Sequence, residues 1–270
     1  MTLRGPITVG YDGSLDAGRA ASWAGGVAAA LAGTPVHLVH AISLPAIPPH
    51  HWQLSVEALL EQQETEIREQ LAAERRALVE RGVAGELFVR RWLPVETVLE
   101  HAREHASGLV VVGQHGHRRT RRLLGTVSDA VARQAEMPVV VVRGREAPSP
   151  PRTVLLAFDG SQPARRAAEA VARWFPEAAV RAVRVENGAG KAEPAETLRL
   201  LAEAGIAAGR IELRRASGDA AAALLELAGD PAVDLVAAGR RGRSAWAELL
   251  IGGVTEKLLQ LAPCPVLVAH

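Results

Sequence analysis

The chain repeats itself, and that restricts its fold more than any other feature. VGYDGS at Val9–Ser14 recurs as LAFDGS at Leu156–Ser161. VVVGQHG at Val110–Gly116 recurs as LVAAGRRG at Leu235–Gly242, and MPVVVV at Met137–Val142 as CPVLVA at Cys264–Ala269. Three matches in one order describe two copies of a single unit, the second shortened by about twenty residues in its first half. Between them, Arg143–Arg152 carries Pro148, Pro150 and Pro151, which hinder helix and central strand alike. That segment reads as a short, stiffened linker. The expected domains are residues 1–146 and 151–270.

Each copy alternates apolar runs with helical spacing. In copy one, Ile7–Val9, Val36–Ile42, Leu87–Val89, Leu109–Val112 and Val139–Val142 read as strands. Helices are expected at Asp16–Ala32, Leu54–Arg81, from Pro94 to about Ala106, and from about Thr126 to Ala135. Copy two places strands near Val154–Ala157, Val180–Val185, Ile211–Leu213, Leu235–Ala238 and Val266–Ala269, with the long helix reduced to about Pro194–Ala204. Alternation of this kind implies right-handed crossovers and a mostly parallel sheet. The near-continuous valine runs fit strands buried on both faces. The expected class is therefore α/β: two tandem, open, five-stranded parallel-sheet domains, Rossmann-like, with helices on both faces. Aromatic residues are 3% of the chain against 48% hydrophobic, so alanine, valine and leucine must carry the packing.

Charge and cysteine content exclude several classes. With 31 basic and 30 acidic residues the net charge is +1, which leaves no global attraction to nucleic acid or membrane. The basic string RRTRR at Arg118–Arg122 lacks the interleaved aromatics of a base-stacking surface. A lone Cys264 excludes an intramolecular disulfide framework and a cysteine zinc site. The start of the chain has too short an apolar run for a secretory leader, and no apolar stretch is long enough to span a membrane. A cytoplasmic protein is expected.

Candidate ligand contacts gather where an open parallel sheet binds, beyond the carboxyl ends of its strands. Gly113-Gln114-His115-Gly116 is followed by eight residues and then Gly125-Thr126 at a helix start; Gly239-Arg240-Arg241-Gly242 is followed by nine and then Gly252-Gly253. Glycine permits close approach of the backbone, and the free amides at a helix start suit phosphate. The hydroxyl of Thr126 or Ser128 adds a donor. Asp12 and Asp159, after the first strand of each copy, can accept from a ribose hydroxyl or a base amine. Arginines and histidines crowd both loops: His115, His117, Arg118, Arg119, Arg121 and Arg122 in one, Arg240, Arg241 and Arg243 in the other. Guanidinium groups suit a polyphosphate, although solvated loop charge explains them equally. His101 and His105 have metal-ligand spacing on one helix face, but the sequence places no third ligand, so no metal site is assigned. His50-His51 reads as an exposed loop pair, Cys264 as the buried start of a strand, and Trp23, Trp174 and Trp246 as packing residues.

The order strand-DGS, VVVG-x-x-G, a gap, G-[ST] and a helix closing on PVVVV resembles the universal stress protein family, in both copies. The resemblance implies a fold like that of the adenine nucleotide alpha hydrolases, with ATP (or ADP or AMP), with or without Mg, in the crevice. Carried over by position, copy one would use Gly10, Tyr11, Asp12, Ala41, Val112, Gly113, Gly116, Gly125, Thr126, Val127 and Ser128. Copy two would use Ala157, Phe158, Asp159, Val185, Ala238, Gly239, Gly242, Gly252, Gly253, Val254 and Thr255. Copy one departs from the family's nine-residue gap, and copy two has Gly253 where Ser or Thr is expected. Family members pair through the fifth strand, which implies an intramolecular pseudo-dimer of the two copies, with a homodimer of chains left open. No phosphate-binding G-x-x-x-x-G-K-[ST] loop, S-G-G-x-D-S loop or nucleophile triad is present. The expected function is an adenine-nucleotide-binding stress or signalling protein without dedicated catalysis. The alternatives are an interaction module with degenerate pockets and a slow ATP hydrolase.

Overall fold

The computed structural model describes residues 4–42, 55–116, 124–186, 193–240 and 251–270. They form two compact units. The first holds residues 4–116 together with Gly125–Val131, and the second holds Ala132–His270.

The first unit runs β1 (Ile7–Gly10), α1 (Leu15–Ala30), β2 (Val36–Ala41), α2 (Ser55–Glu80), β3 (Gly85–Arg90), α3 (Pro94–Glu104), β4 (Leu109–Gly113) and the start of α4 (Thr126–Gln134). Its strands lie parallel in the order β3-β2-β1-β4. From β1 the chain steps outward to β2 and β3, then returns to the other side of β1 at β4. Strand order reverses between β1 and β4, where Gly10 pairs with Val112. An open sheet leaves its crevice at such a reversal, because the crossovers on either side lead away from it. Ile7, Val9, Leu109, Val110 and Val111 are fully buried, as strands covered on both faces must be. α1 lies on the sheet through Ala17, Ala20, Ala21, Ala24 and Val27, small side chains that let a helix approach closely.

The second unit contains β5 (Val139–Val142), β6 (Thr153–Ala157), α5 (Gln162–Trp174), β7 (Ala179–Glu186), α6 (Pro194–Glu203), β8 (Ile211–Ser217), α7 (Ala220–Ala228), β9 (Leu235–Gly239), α8 (Gly253–Leu261) and β10 (Val266–Ala269). Its order is β5-β10-β9-β6-β7-β8. All neighbours are parallel except β5 and β10, which pair antiparallel with Val140 opposite Leu267. The two fifth strands of the repeat therefore pair with each other. All four valines of β5 are buried, each worth about 1.5–3 kcal/mol relative to an exposed position. The compact unit consequently takes in β5, which the sequence repeat counts with copy one.

Strands stand where the apolar runs place them, with one systematic difference. The third strand of each copy is longer than its apolar stretch, Gly85–Arg90 and Ile211–Ser217. Both are outer strands, where charged residues such as Glu212, Arg214 and Arg215 face solvent and hide the strand from a hydrophobic reading. α6 has 10 residues against 26 in α2. Trp23, Trp174 and Cys264 are buried, whereas Trp246 and the His50-His51 pair lie outside the described residues. His101, read from the sequence only as one of a helical pair with His105, is wholly buried, because this side of α3 packs on β2 and β3. Among the described residues no helix is long and apolar enough to cross a membrane.

Arg143, just past β5, closes the end of α8. Its Nη1 donates to the carbonyls of Leu258 and Leu259, and its Nη2 to that of Gln260 at 2.8 Å. Leu259 and Gln260 present terminal carbonyls of the helix, whereas that of Leu258 also accepts from the Ala262 amide at 2.9 Å. Burial pulls the guanidinium down to about 10, which still leaves it charged at neutral pH. Arg143→Met is expected to lower stability by about 2–3 kcal/mol through these charge-assisted bonds, read from the urea unfolding midpoint.

Candidate functional site

In the first unit β1 runs out into Tyr11, Asp12, Gly13 and Ser14. Asp12 Oδ1 accepts from the Ser14 amide at 3.0 Å, which folds the chain into a tight turn. Ser14 then caps α1, its Oγ accepting from the Ala17 amide at 3.2 Å. The same hydroxyl donates to the His115 carbonyl at 3.3 Å, reaching across to the loop after β4. Asp16 reinforces that link. Its Oδ2 accepts from the His115 amide at 3.2 Å and lies 3.3 Å from His115 Nδ1.

Two glycines make this closeness possible. A Cβ on Gly113 would fall 2.5 Å from the backbone of Asp16, and one on Gly116 would collide with Asp12 Oδ2. Their bareness thus serves the protein's own packing first, rather than the approach of a ligand. Beyond the loop, Gly125 donates its amide to the Gln114 carbonyl at 2.9 Å. Ser128 is buried and its hydroxyl is shared between the carbonyls of Gln114 at 2.9 Å and Gly125 at 3.0 Å. Its proton is committed to the loop, so Ser128 braces the cradle instead of donating to a ligand. Thr126 is exposed at the helix start, and the first amides of α4 have no acceptor within the helix.

These elements enclose a cavity of about 560 Å³. All eleven copy-one residues named from the sequence line it: Gly10, Tyr11, Asp12, Ala41, Val112, Gly113, Gly116, Gly125, Thr126, Val127 and Ser128. The opposite wall is supplied by Gln63, Glu66, Ile67 and Gln70 of α2, and the side nearest α3 by Pro94 and Val98. The α2 residues were not expected. Their spacing puts them on one helix face, but a face this polar reads as solvent-exposed. His40 also lines the cavity and bonds through Nδ1 to the Tyr11 carbonyl at 2.7 Å. The volume falls within the range of small-molecule sites.

Copy two rebuilds the frame and loses part of the wall. Asp159 Oδ1 accepts from the Ser161 amide at 2.9 Å, and Ser161 caps α5. Gly252 donates to the Arg240 carbonyl at 2.8 Å and Thr255 Oγ1 to the Gly239 carbonyl at 2.8 Å. Gly239 lies tight against Pro163, which stands where Asp16 stands in copy one. Phe158 and Ala238 are buried, Ala157, Val185, Gly252 and Val254 are half-buried, and Gly253 is exposed in open space. Arg240 is turned inward, its Nη1 donating to the Arg133 carbonyl at 3.1 Å. Gly242, Arg241, Arg243 and the stretch His117–Arg122 lie outside the described residues.

Tyr11 carries the clearest electrostatic signature of the cavity. Burial, and next the carboxylate of Glu74 that accepts from its hydroxyl at 3.2 Å, push its phenol up to about 12. Tyr11 is the only tyrosine of the chain, so ultraviolet titration reads it alone. A midpoint well above 10 is expected, moved toward 10 by Glu74→Gln. A raised phenol keeps its full stabilising effect below the unfolded value, so this contribution is lost as pH climbs from about 10 to 12. A midpoint at 10 in the folded protein would contradict the burial of this ring.

Comparison with known proteins agrees with the repeat. The model of the universal stress protein family matches residues 4–143 and again 151–270. A universal stress protein of Mycobacterium tuberculosis is 30% identical over 298 residues, covering 98% of this chain and 96% of that protein. Another, from Thermus aquaticus, is 33% identical over 138 residues and covers 44% of this chain and 98% of its own length. Among solved structures, a universal stress protein of Archaeoglobus fulgidus superposes with a TM-score of 0.76 at 18% identity, covering 100% of this chain and 99% of that one. At that identity the likeness speaks for the fold alone.

Proposed function

The chain belongs to the universal stress protein family, and from that premise we propose that it binds an adenine nucleotide in the copy-one cavity and serves as a stress-response or signalling protein without dedicated catalysis. The observation that carries the reading is the gathering of both strand-end motifs around one cavity of about 560 Å³. In this reading the base and ribose lie toward Tyr11, Asp12 and Ala41, where the aspartate can accept from a ribose hydroxyl or a base amine. The phosphates lie toward Gly113–Gly116 and the amides that open α4, a natural anion cradle. Asp12 and Glu66 repel a polyphosphate unless a cation accompanies it, and Mg²⁺ suits that all-oxygen chemistry.

The absence of dedicated catalysis is supported by how the cavity hydroxyls are used. Those of Ser14 and Ser128 bond to backbone carbonyls, and the His115 ring faces Asp16 rather than either serine. Copy two keeps the turn and loop frame, but α6 is too short to repeat the wall that α2 gives copy one. We assign the nucleotide to copy one for that reason.

Titration calorimetry with ATP, ADP and AMP tests both the ligand and its place. Asp12→Ala is expected to weaken binding by about tenfold or more, equivalent to about 1.4 kcal/mol. Asp159→Ala should leave affinity within about twofold, and phosphate release should stay at the background rate. A wild-type protein that neither binds nor copurifies with adenine nucleotide would sink the reading. Loss confined to Asp159→Ala would move the site to copy two.

A further inference from the structure

Away from the crevice, at the far end of α3, three histidines meet. His37 near the start of β2 faces His101 and His105 on the last turn of α3 and its cap, and one ring nitrogen from each lies within 4.8 Å of the others. His37 Nδ1 is 3.0 Å from His101 Nε2. The rings of His101 and His105 stack with centroids 4.0 Å apart, and Phe88 on β3 packs against all three. His37 and His101 are buried and His105 is half-buried.

Two imidazoles set nitrogen to nitrogen can share only one proton. The other nitrogen of His101, Nδ1, is buried without a hydrogen-bond partner. Whichever tautomer His101 adopts, it therefore keeps an unmatched polar atom in the core, a feature native interiors rarely tolerate without a purpose. Charging the ring is no remedy. Burial above all, and then the neighbouring His105 and His37, hold His101 down at about 3, and burial lowers His37 as well. Burial thus favours the neutral form of both rings, the form that carries lone pairs.

The surroundings also set which nitrogens carry them. His105 Nδ1 is 3.0 Å from the His101 carbonyl, which can only accept, so Nδ1 holds the proton and Nε2 the lone pair. His37 Nε2 lies 3.9 Å from Glu86 Oε2, which favours the proton on Nε2 and turns the Nδ1 lone pair toward His101. A ring whose far N–H faces a carbonyl or carboxylate is the arrangement that orients metal-ligating histidines. We propose that His37, His101 and His105 bind one divalent transition-metal ion of the zinc class, with a fourth position open to solvent beside half-buried His105. Imidazole donors suit Zn²⁺, Cu²⁺ and Ni²⁺. An i,i+4 pair on a helix plus one residue from a strand supplies three ligands, and small ring rotations bring them to metal distances of about 2.0–2.1 Å. Glu104, inside the His-x-x-Glu-His string, is exposed and bonded to Arg90. The ion would pin α3 to β2.

The test uses the full chain, free of affinity tag and stripped with chelator. Calorimetry with Zn²⁺ should show one equivalent bound, and Co²⁺ should give the intense visible bands of a four-coordinate nitrogen site. His105→Gln and His37→Gln should each weaken Zn²⁺ binding by about a hundredfold or more, while the double variant His50→Gln, His51→Gln keeps it. Wild-type protein should also unfold at a higher temperature with Zn²⁺ present, as any ligand of the folded state requires. Circular dichroism checks that each variant folds; should the buried His37→Gln fail, His105→Gln at its half-buried position decides alone. No Zn²⁺ bound by wild type at about 100 μM, or binding unchanged in His105→Gln, overturns the proposal. So does a loss that follows His50 and His51.

Discussion

The parallel pairing of β1 with β4 is the contact on which the rest depends. It sets Gly10 beside Val112 and so brings two distant stretches of chain, 10–14 and 113–116, out of the sheet side by side. The hydrogen bonds at the mouth of these strands then follow from joining those two exits. Asp12 turns the first, Ser14 caps the helix that follows it, and Ser14 and Asp16 together hold His115 in the second. The glycines of the loop are needed because the two exits nearly touch. What faces the cavity besides these is backbone amide, the exposed Thr126, the aliphatic wall and the polar face of α2 at Gln63, Glu66 and Gln70.

The two copies show which parts of that design the fold itself requires. Both keep an aspartate that takes the amide two residues on, a serine cap, a glycine jammed against the next helix, and a hydroxyl four residues into the loop-to-helix junction tied back to a carbonyl. These bonds satisfy backbone groups that would otherwise be stranded at strand and helix ends. The copies differ on the side that faces outward. Asp16 is replaced by Pro163, which cannot hold a loop amide through its side chain, and the 26-residue α2 by the 10-residue α6. Of these two, α2 supplies a wall of the copy-one cavity and Asp16 braces its loop.

Legibility in the sequence tracked the range of the interaction. Strands showed themselves because burial on both faces leaves no polar residue in them, as in Val139–Val142. The outer strands β3 and β8 were under-read because one side of each carries Glu and Arg. Asp12 and the loop glycines could be named because the fold class fixes where a parallel sheet opens, while Ala41, Val112 and Val127 came only with the family resemblance. Gln63, Glu66 and Gln70 could not, since nothing local distinguishes a polar helix face over a cavity from one over water. His37 and His101 were the hardest. His101 shows in its own segment only as an i,i+4 pair with His105 and His37 not at all, and only the crossover from β2 through β3 to α3 sets His37 and His101 3.0 Å apart.

That crossover gives one further consequence for how the unit works. On β2, His37, Val39 and Ala41 alternate along the strand and so share a face. On α3, Val98 and His101 are three residues apart and so neighbours on the helix surface. Val39, Ala41 and Val98 line the cavity, while His37 and His101 form the histidine cluster. One helix–strand interface therefore borders the cavity at one end and the histidine cluster at the other, and its Val39 and Val98 are buried. Any shift of α3 along β2 that loosens the histidines also moves Pro94 and Val98 against the cavity. α3 and β2 are therefore the two elements that the cavity and the histidine cluster have in common.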